Sequence, residues 1–279
     1  RPHYRVQQEI GSFLDANAWL AEAQQESDFC IGLDREAMRS KGYAEGYPGF
    51  GSRDAWHFLN NGLLITAFCA ALSPEMLDLY DDGLLLRTDK PLLVASAANM
   101  AASIQARLVE YVKRGGKLLL APVIPERDDN FQPCAILKDF LQGAVSEQFD
   151  NVDKYVQAGP FGPVHASEGL WLAARTPDGA EPLARETGNG RTAAWKMIDP
   201  NGGAVLWFGM PWKFTKYTQM DILRYLLGEL DCRQSVIQCD NPNVWSIVRS
   251  GGGRRMLFIM NLFSSPMEAG IRIRSTDGH

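Results

Sequence analysis

Short apolar runs, each five to seven residues long and bounded by Gly, Pro or polar residues, recur along this chain. Phe29-Cys-Ile-Gly-Leu33, Leu63 to Cys69, Leu92-Leu-Val-Ala-Ser96, Lys117 to Pro122 and Gly203 to Gly209 are the five. Such a run is far shorter than the roughly 18 residues of a membrane span. Its continuous apolar character predicts a strand covered on both faces. Amphipathic stretches stand between the runs. Ala101 to Lys113 places Ile104, Leu108, Val109 and Val112 on one side and stops at Gly115-Gly116. Ser52 or Asp54 caps a predicted helix through Ala55, Trp56, Phe58 and Leu59, and Ser73-Pro-Glu-Met reads as another helix start. Ile136–Leu141 and Tyr217 to Leu230 complete the predicted helices. Strand–helix–strand order at a spacing of roughly 20 to 30 residues predicts a parallel sheet with helices on both faces.

Three stretches depart from that rhythm. Residues 1 to 27 read as one linker helix, with Val6, Ile10, Phe13, Leu14, Leu20 and Ala21 at roughly helical spacing. Residues 41 to 52, with four Gly, one Pro and two Tyr, read as a loop. Leu170 to Ala174, Pro182 to Glu186 and Arg191 to Ile198 are short strands separated by Asp-Gly, Gly-Asn-Gly and Pro-Asn-Gly-Gly turns, an antiparallel extension over about 165–200. The domain reading is therefore a body over 28–232 and a β-rich tail over 233–279. The tail's four strands, Val236–Cys239, Trp245–Arg249, Arg255–Phe263 and Ala269–Arg274, are half of a small β-sandwich.

Composition narrows the chemistry. With 46% hydrophobic and 22% charged residues over 279 positions, the chain has material for a sizeable core. The net charge of -5 and the lack of any Lys/Arg cluster point away from nucleic acid, and no segment suits a membrane or a signal peptide. The first residue is not Met, so the chain reads as a piece of a longer polypeptide. Cys30, Cys69, Cys134, Cys232 and Cys239 are odd in number and lack tight spacing, which argues against a disulfide framework. Cys30 and Cys69 read as small hydrophobes. The four histidines, His3, His57, His165 and His279, show no metal-binding spacing, and His57 reads as half-buried packing. No metal or cofactor is implied. There is no Gly-x-Ser-x-Gly elbow, phosphate loop or dinucleotide fingerprint, and Gly251-Gly-Gly253 is a turn between strands.

Carboxylates are plentiful without obvious pairing. Asp81-Asp82 and Asp128-Asp129 read as solvated loop charges, although Glu126-Arg127-Asp128-Asp129 follows the end of a strand, where open α/β sheets place their sites. Aromatic residues concentrate between Trp207 and Tyr217, with Trp171 and Trp195 upstream. Trp171, Trp195 and Trp212 are candidate sugar-stacking platforms; the competing reading puts Trp207 in the core and Trp212 at an interface. Cys134 lies near a helix start, where a thiolate is favoured, so a divergent thiol hydrolase is a further alternative.

Several stretches in order resemble the C-terminal region of large bacterial β-galactosidases of glycoside hydrolase families 35 and 42. They are Lys90-Pro-Leu-Leu-Val-Ala-Ser-Ala-Ala-Asn-Met100 running on to Leu118-Leu-Leu120, Val123-Ile-Pro125 with Gln132-Pro-Cys134, Cys239-Asp-Asn-Pro-Asn-Val-Trp245, and Leu257-Phe-Ile-Met-Asn-Leu-Phe-Ser-Ser-Pro-Met-Glu-Ala269. The resemblance implies an α/β fold of flavodoxin-like, class I glutamine-amidotransferase-like topology, with a partial antiparallel β domain behind it. In those enzymes this region serves packing or trimerisation beside a catalytic (β/α)₈ barrel. The implied partners are the parent's barrel and further copies of the chain, with carbohydrate a candidate ligand and the bacterial cytoplasm or periplasm the setting. By the same resemblance Val123 occupies the place of the amidotransferase nucleophile, and neither Val nor Pro attacks an amide. No catalytic residue is assigned.

Overall fold

A computed structural model describes residues 2–35, 52–212, 217–232 and 235–274; the predicted loop of residues 41 to 52 falls almost wholly outside them. Helix α1 (Pro2–Ala16) and one 3-10 turn lead into β1 (Gln24–Gln25) and β2 (Phe29–Leu33). The predicted linker helix therefore ends some eleven residues early. α2 (Ser52–Phe58), a π turn (Leu59–Leu63) and α3 (Leu64–Cys69) follow as one helical stretch, and then β3 (Pro74–Asp78). Next come β4 (Leu92–Ser96), α4 (Ala102–Lys113), β5 (Lys117–Pro122) and α5 (Ile136–Phe140). The β-rich half runs β6 (Val145–Gln148), β7 (Tyr155–Ala158), β8 (Phe161–His165), β9 (Trp171–Arg175), β10 (Glu181–Glu186), β11 (Thr192–Ile198) and β12 (Ala204–Phe208). α6 (Thr218–Gly228) precedes β13 (Ile237–Cys239), β14 (Val244–Gly251), β15 (Arg254–Asn261) and β16 (Ile271–Ile273).

Nine strands form one mixed sheet in the order β3-β2-β4-β5-β12-β11-β10-β7-β8. Met76, Ile31, Leu93, Leu119 and Leu206 lie in one row across the parallel half. β12 then turns through Asp199–Gly203 into antiparallel pairing with β11, and the sheet continues antiparallel through β10, β7 and β8. β6–β9, β13–β16 and β1-β14-β15 form three smaller antiparallel sheets. The expected flavodoxin-like parallel sheet with helices on both faces is thereby corrected. The described residues are mostly β, and the antiparallel strands belong to the main sheet itself. Two local misreadings contributed. Leu63 to Cys69, predicted as a strand, is helical, because an apolar run alone does not distinguish a buried helix from a buried strand. Ser73-Pro74, predicted as a helix start, opens β3. Pro is tolerated there because β3 is an edge strand and Pro74 is its first residue.

The core spans both halves of the sheet. Phe29, Ile31, Leu93, Leu119, Trp195, Trp207 and Phe208 are all fully buried. α3 packs on α6, and α4 on α5. The π turn brings Gly62 against the backbone after β12: a Cβ there would stand 2.1 Å from the Trp212 carbonyl oxygen. Among the described residues the tail has a small core of its own: Val236, Ile237 and Val248 are buried, with Leu257 and Ile271 packed against them.

Candidate functional site

The densest polar arrangement outside the core joins the main sheet to the tail. Residues 22–28 serve both. Gln24 and Gln25 pair with Ser250 and Arg249 as β1, and after three intervening residues the same chain enters the main sheet as β2. Asp28 is the pivot. It is buried, and its two carboxylate oxygens accept separate backbone N–H groups: Oδ2 from Ser73 (2.7 Å), at the head of β3, and Oδ1 from Val236 (2.6 Å), at the head of β13. Burial pushes the Asp28 carboxyl above its ordinary pKa, while the two N–H donors and the charges of Arg274 and Lys90 pull the other way.

Neighbouring residues close the joint. The Glu26 carboxylate accepts a two-pronged bond from Arg255 of β15 (2.7 and 2.6 Å). Its backbone N–H donates to Val248 and its carbonyl accepts from Ser73 Oγ (2.8 Å). Gln25 Nε2 donates to Ser73 Oγ and to the Pro74 carbonyl, and Arg249 donates to the Ala23 carbonyl. One step along β3, Glu75 accepts from Arg87 and Ser27, and Lys90 Nζ donates to Ser27 Oγ. Burial alone would raise the Glu75 carboxyl; the bonds from Arg87 and Ser27 outweigh it and hold the group below its ordinary value. Two clefts flank the joint. One, of about 410 Å³, is lined by Asp28, Lys90, Cys232 and Arg274. The other, of about 570 Å³, lies between the end of α3, α6 and the tail, with Arg224, Cys239, Asp240 and Arg272 on its walls. Arg224 is committed to the Ala70 carbonyl (2.7 and 3.1 Å). This arrangement ties the tail strands to the main sheet. The only trace of it in the sequence is an acidic residue, Asp28, at the mouth of an apolar strand.

The residues singled out from sequence lie elsewhere and apart. Trp195 and Trp207 neighbour each other inside the sheet (6.0 Å between centroids), and Trp207 Nε1 donates to the Pro122 carbonyl. Trp212 is stacked on Phe58 (5.7 Å), and the Trp171 backbone N–H donates to the Gly209 carbonyl. Trp171, Trp195 and Trp212 are all buried, so none presents an open ring face for a sugar; the core reading of Trp207 holds, and Trp212 joins it. Val123 is buried, its carbonyl accepting from Ser96 Oγ. Cys134 is half-buried ahead of α5, its N–H donating to the Glu126 carbonyl. Asp128 closes its own turn through the N–H groups of Asn130 and Gln132, and Glu126 pairs with Lys138. Cys30 and Cys69 are buried, as expected of small hydrophobes, and burial raises the Cys30 thiol to about 11. His57 is exposed, correcting its half-buried reading. Among the described residues, no group of three His, Cys, Asp or Glu could hold a metal ion, and no helix is long and apolar enough to cross a membrane.

Residues 52–168 match the family model described as "GLMA-like, second domain". An exo-β-D-glucosaminidase of Thermococcus kodakarensis is 27% identical over 290 residues, covering 99% of this chain and 36% of that protein. An exo-β-D-glucosaminidase of Pyrococcus horikoshii is 28% identical over 200 residues, covering 70% of this chain and 25% of that protein. The chain is related to glycoside hydrolases. It spans about a third or less of the length of these curated relatives. Among solved structures, the cold-adapted β-galactosidase of Rahnella sp. R3 has a TM-score of 0.64 at 15% identity, over 92% of this chain and 39% of that one. A catalytic mutant of a GH42 β-galactosidase from G. stearothermophilus reaches 0.66 at 15% identity, over 92% and 38%. These likenesses show a shared fold.

Proposed function

We propose that this chain is a non-catalytic structural and assembly region of a glycoside hydrolase, packed against a catalytic barrel contributed by its parent protein. The observation that carries the reading is the use of the buried carboxylates. Asp28, Glu186 and Asp199 are the buried acidic residues among those described, and each accepts from backbone N–H groups: Asp28 through both oxygens at the joint, Glu186 through both oxygens from Gly188 and Asn189, and Asp199 through Oδ2 from Asn201. Retaining glycoside hydrolysis needs two carboxyls facing one substrate about 5 Å apart. The relation to exo-β-D-glucosaminidases over 99% of the chain favours a parent acting on β-D-glucosaminides over one acting on β-galactosides. The test is incubation of the purified chain with nitrophenyl β-D-glucosaminide and nitrophenyl β-D-galactoside. Release at the buffer rate is expected; turnover that scales with protein concentration would overturn the reading.

A further inference from the structure

Asparagine is followed by glycine three times, at Asn61-Gly62, Asn189-Gly190 and Asn201-Gly202. In such a pair the glycine nitrogen can close on the asparagine side-chain amide, because no Cβ stands in its way. The three pairs are alike in sequence, and the fold sets them apart. Asn61 lies in the π turn, and Gly62 is buried against the Trp212 carbonyl, so its nitrogen cannot swing without displacing that backbone. The other two pairs sit in exposed turns of one pattern. Asn189 N–H donates to Glu186 Oε2 (2.7 Å) and Gly190 N–H to the Glu186 carbonyl (3.0 Å). Asn201 N–H donates to Asp199 Oδ2 and Gly202 N–H to the Asp199 carbonyl, each at 2.9 Å. Two further ties belong to the first turn alone. Gly188 N–H donates to the same Glu186 carboxylate, and Arg185 donates to the Gly190 carbonyl (2.8 Å). Around Gly202 there is open space: a Cβ there would meet nothing within 4 Å.

We propose that Asn201 is a site of spontaneous covalent modification, losing its side-chain amide through Gly202 ahead of the other two pairs. The Gly202 backbone nitrogen gives its proton to solvent hydroxide and attacks Asn201 Cγ. The N–Cγ bond forms, the Cγ–Nδ2 bond breaks, and Nδ2 leaves as ammonia with a proton from water. Water then opens the five-membered imide at one of its two carbonyls, leaving aspartate or isoaspartate. Nothing is oxidised or reduced. The step asks only that the Gly202 N–H leave the Asp199 carbonyl and turn toward the side chain, and the open space around Gly202 permits it. At Asn189 the same rotation also pulls the Gly190 carbonyl off Arg185, a bond to a charged donor, which slows closure about tenfold. The consequence falls in the main sheet. The turn joins β11 to β12, where antiparallel pairing gives way to parallel. Isoaspartate lengthens the turn's backbone by a methylene, while the adjoining Gly203 is packed against the Val112 carbonyl of α4 with no room to shift.

Peptide mapping by mass spectrometry tests this, on the chain held in mildly alkaline buffer with and without urea. In the folded chain the mass change from amide to acid is expected first at Asn201, about tenfold faster than at Asn189, with Asn61 unchanged. In urea the three rates are expected to draw together, since the fold alone separates them. Arg185→Ala, at an exposed side chain, is expected to bring Asn189 up to the rate of Asn201. Earlier conversion at Asn189 or Asn61, a folded chain inert at Asn201 while the urea sample converts, an unchanged order of rates in urea, or an Asn189 rate indifferent to Arg185→Ala would each overturn the proposal.

Discussion

The main sheet and the tail solve the same problem with very different means. The main sheet buries whole strands: every residue of β12 is buried, and Trp195, Trp207 and Phe208 fill its middle. Among its described residues the tail buries only Val236, Ile237, Val244, Ser246 and Val248, and it leaves most of β15 at the surface. Two- and three-stranded sheets with so little covered apolar surface are marginal in water. The tail is instead held by polar bonds from a segment it shares with the main sheet, through Glu26, Asp28 and Arg255. Cohesion by bulk burial and cohesion by a few directed bonds should respond differently to damage.

The largest effect belongs to the core. Trp207→Ala removes a fully buried indole and its bond to Pro122, and should cost about 3–5 kcal/mol, lowering the urea midpoint of the whole chain in one transition. A loss confined to the tail would contradict a main core that spans both halves of the sheet. Asp28→Ala comes next. It leaves the Ser73 and Val236 N–H groups without their acceptor, at about 1–3 kcal/mol for each unsatisfied donor. Hydrogen exchange should accelerate at β13 and β14 well before β4 and β5; uniform acceleration would remove the distinction between the regions. Arg255→Met should cost only about 1 kcal/mol, since the pair keeps some solvent contact, and the loss should shrink in high salt.

The pH dependence sharpens the comparison, with two acids of opposite sign. Asp28 has a raised folded pKa, so the folded state binds its proton more tightly. Its contribution is most favourable below the ordinary carboxylate pKa and is lost as pH rises through the folded value. Glu75 has a lowered folded pKa, so its contribution is present above the ordinary value and is lost as pH falls through the folded one. Denaturation from about pH 3 to 7 should therefore show the wild-type advantage over Glu75→Gln growing with pH. Set against Asp28→Asn, the wild type should lose ground over the same range. Parallel curves would sink both assignments.

The sequence by itself determined the strands that are buried on both faces. Phe29–Leu33, Leu92–Ser96 and Lys117–Pro122 form strands where their short apolar runs stand between polar breaks, as strands covered on both faces do. It also determined the Gly-bounded helix after Leu92–Ser96, the turn at Gly202 with its φ of +89°, and the four strands of the tail. Tertiary structure decided what depends on neighbours distant in sequence. Leu63–Cys69 is a helix that packs on α6, some 150 residues away, a neighbour that its own sequence does not reveal. Whether a tryptophan faces a sugar or the core turns on which strand lies beside it, and Trp195 lies beside Trp207. The role of Asp28 was invisible for the same reason. A carboxylate's worth lies in its donors, and Ser73 and Val236 come from 45 and 208 residues along the chain, brought together only by the fold.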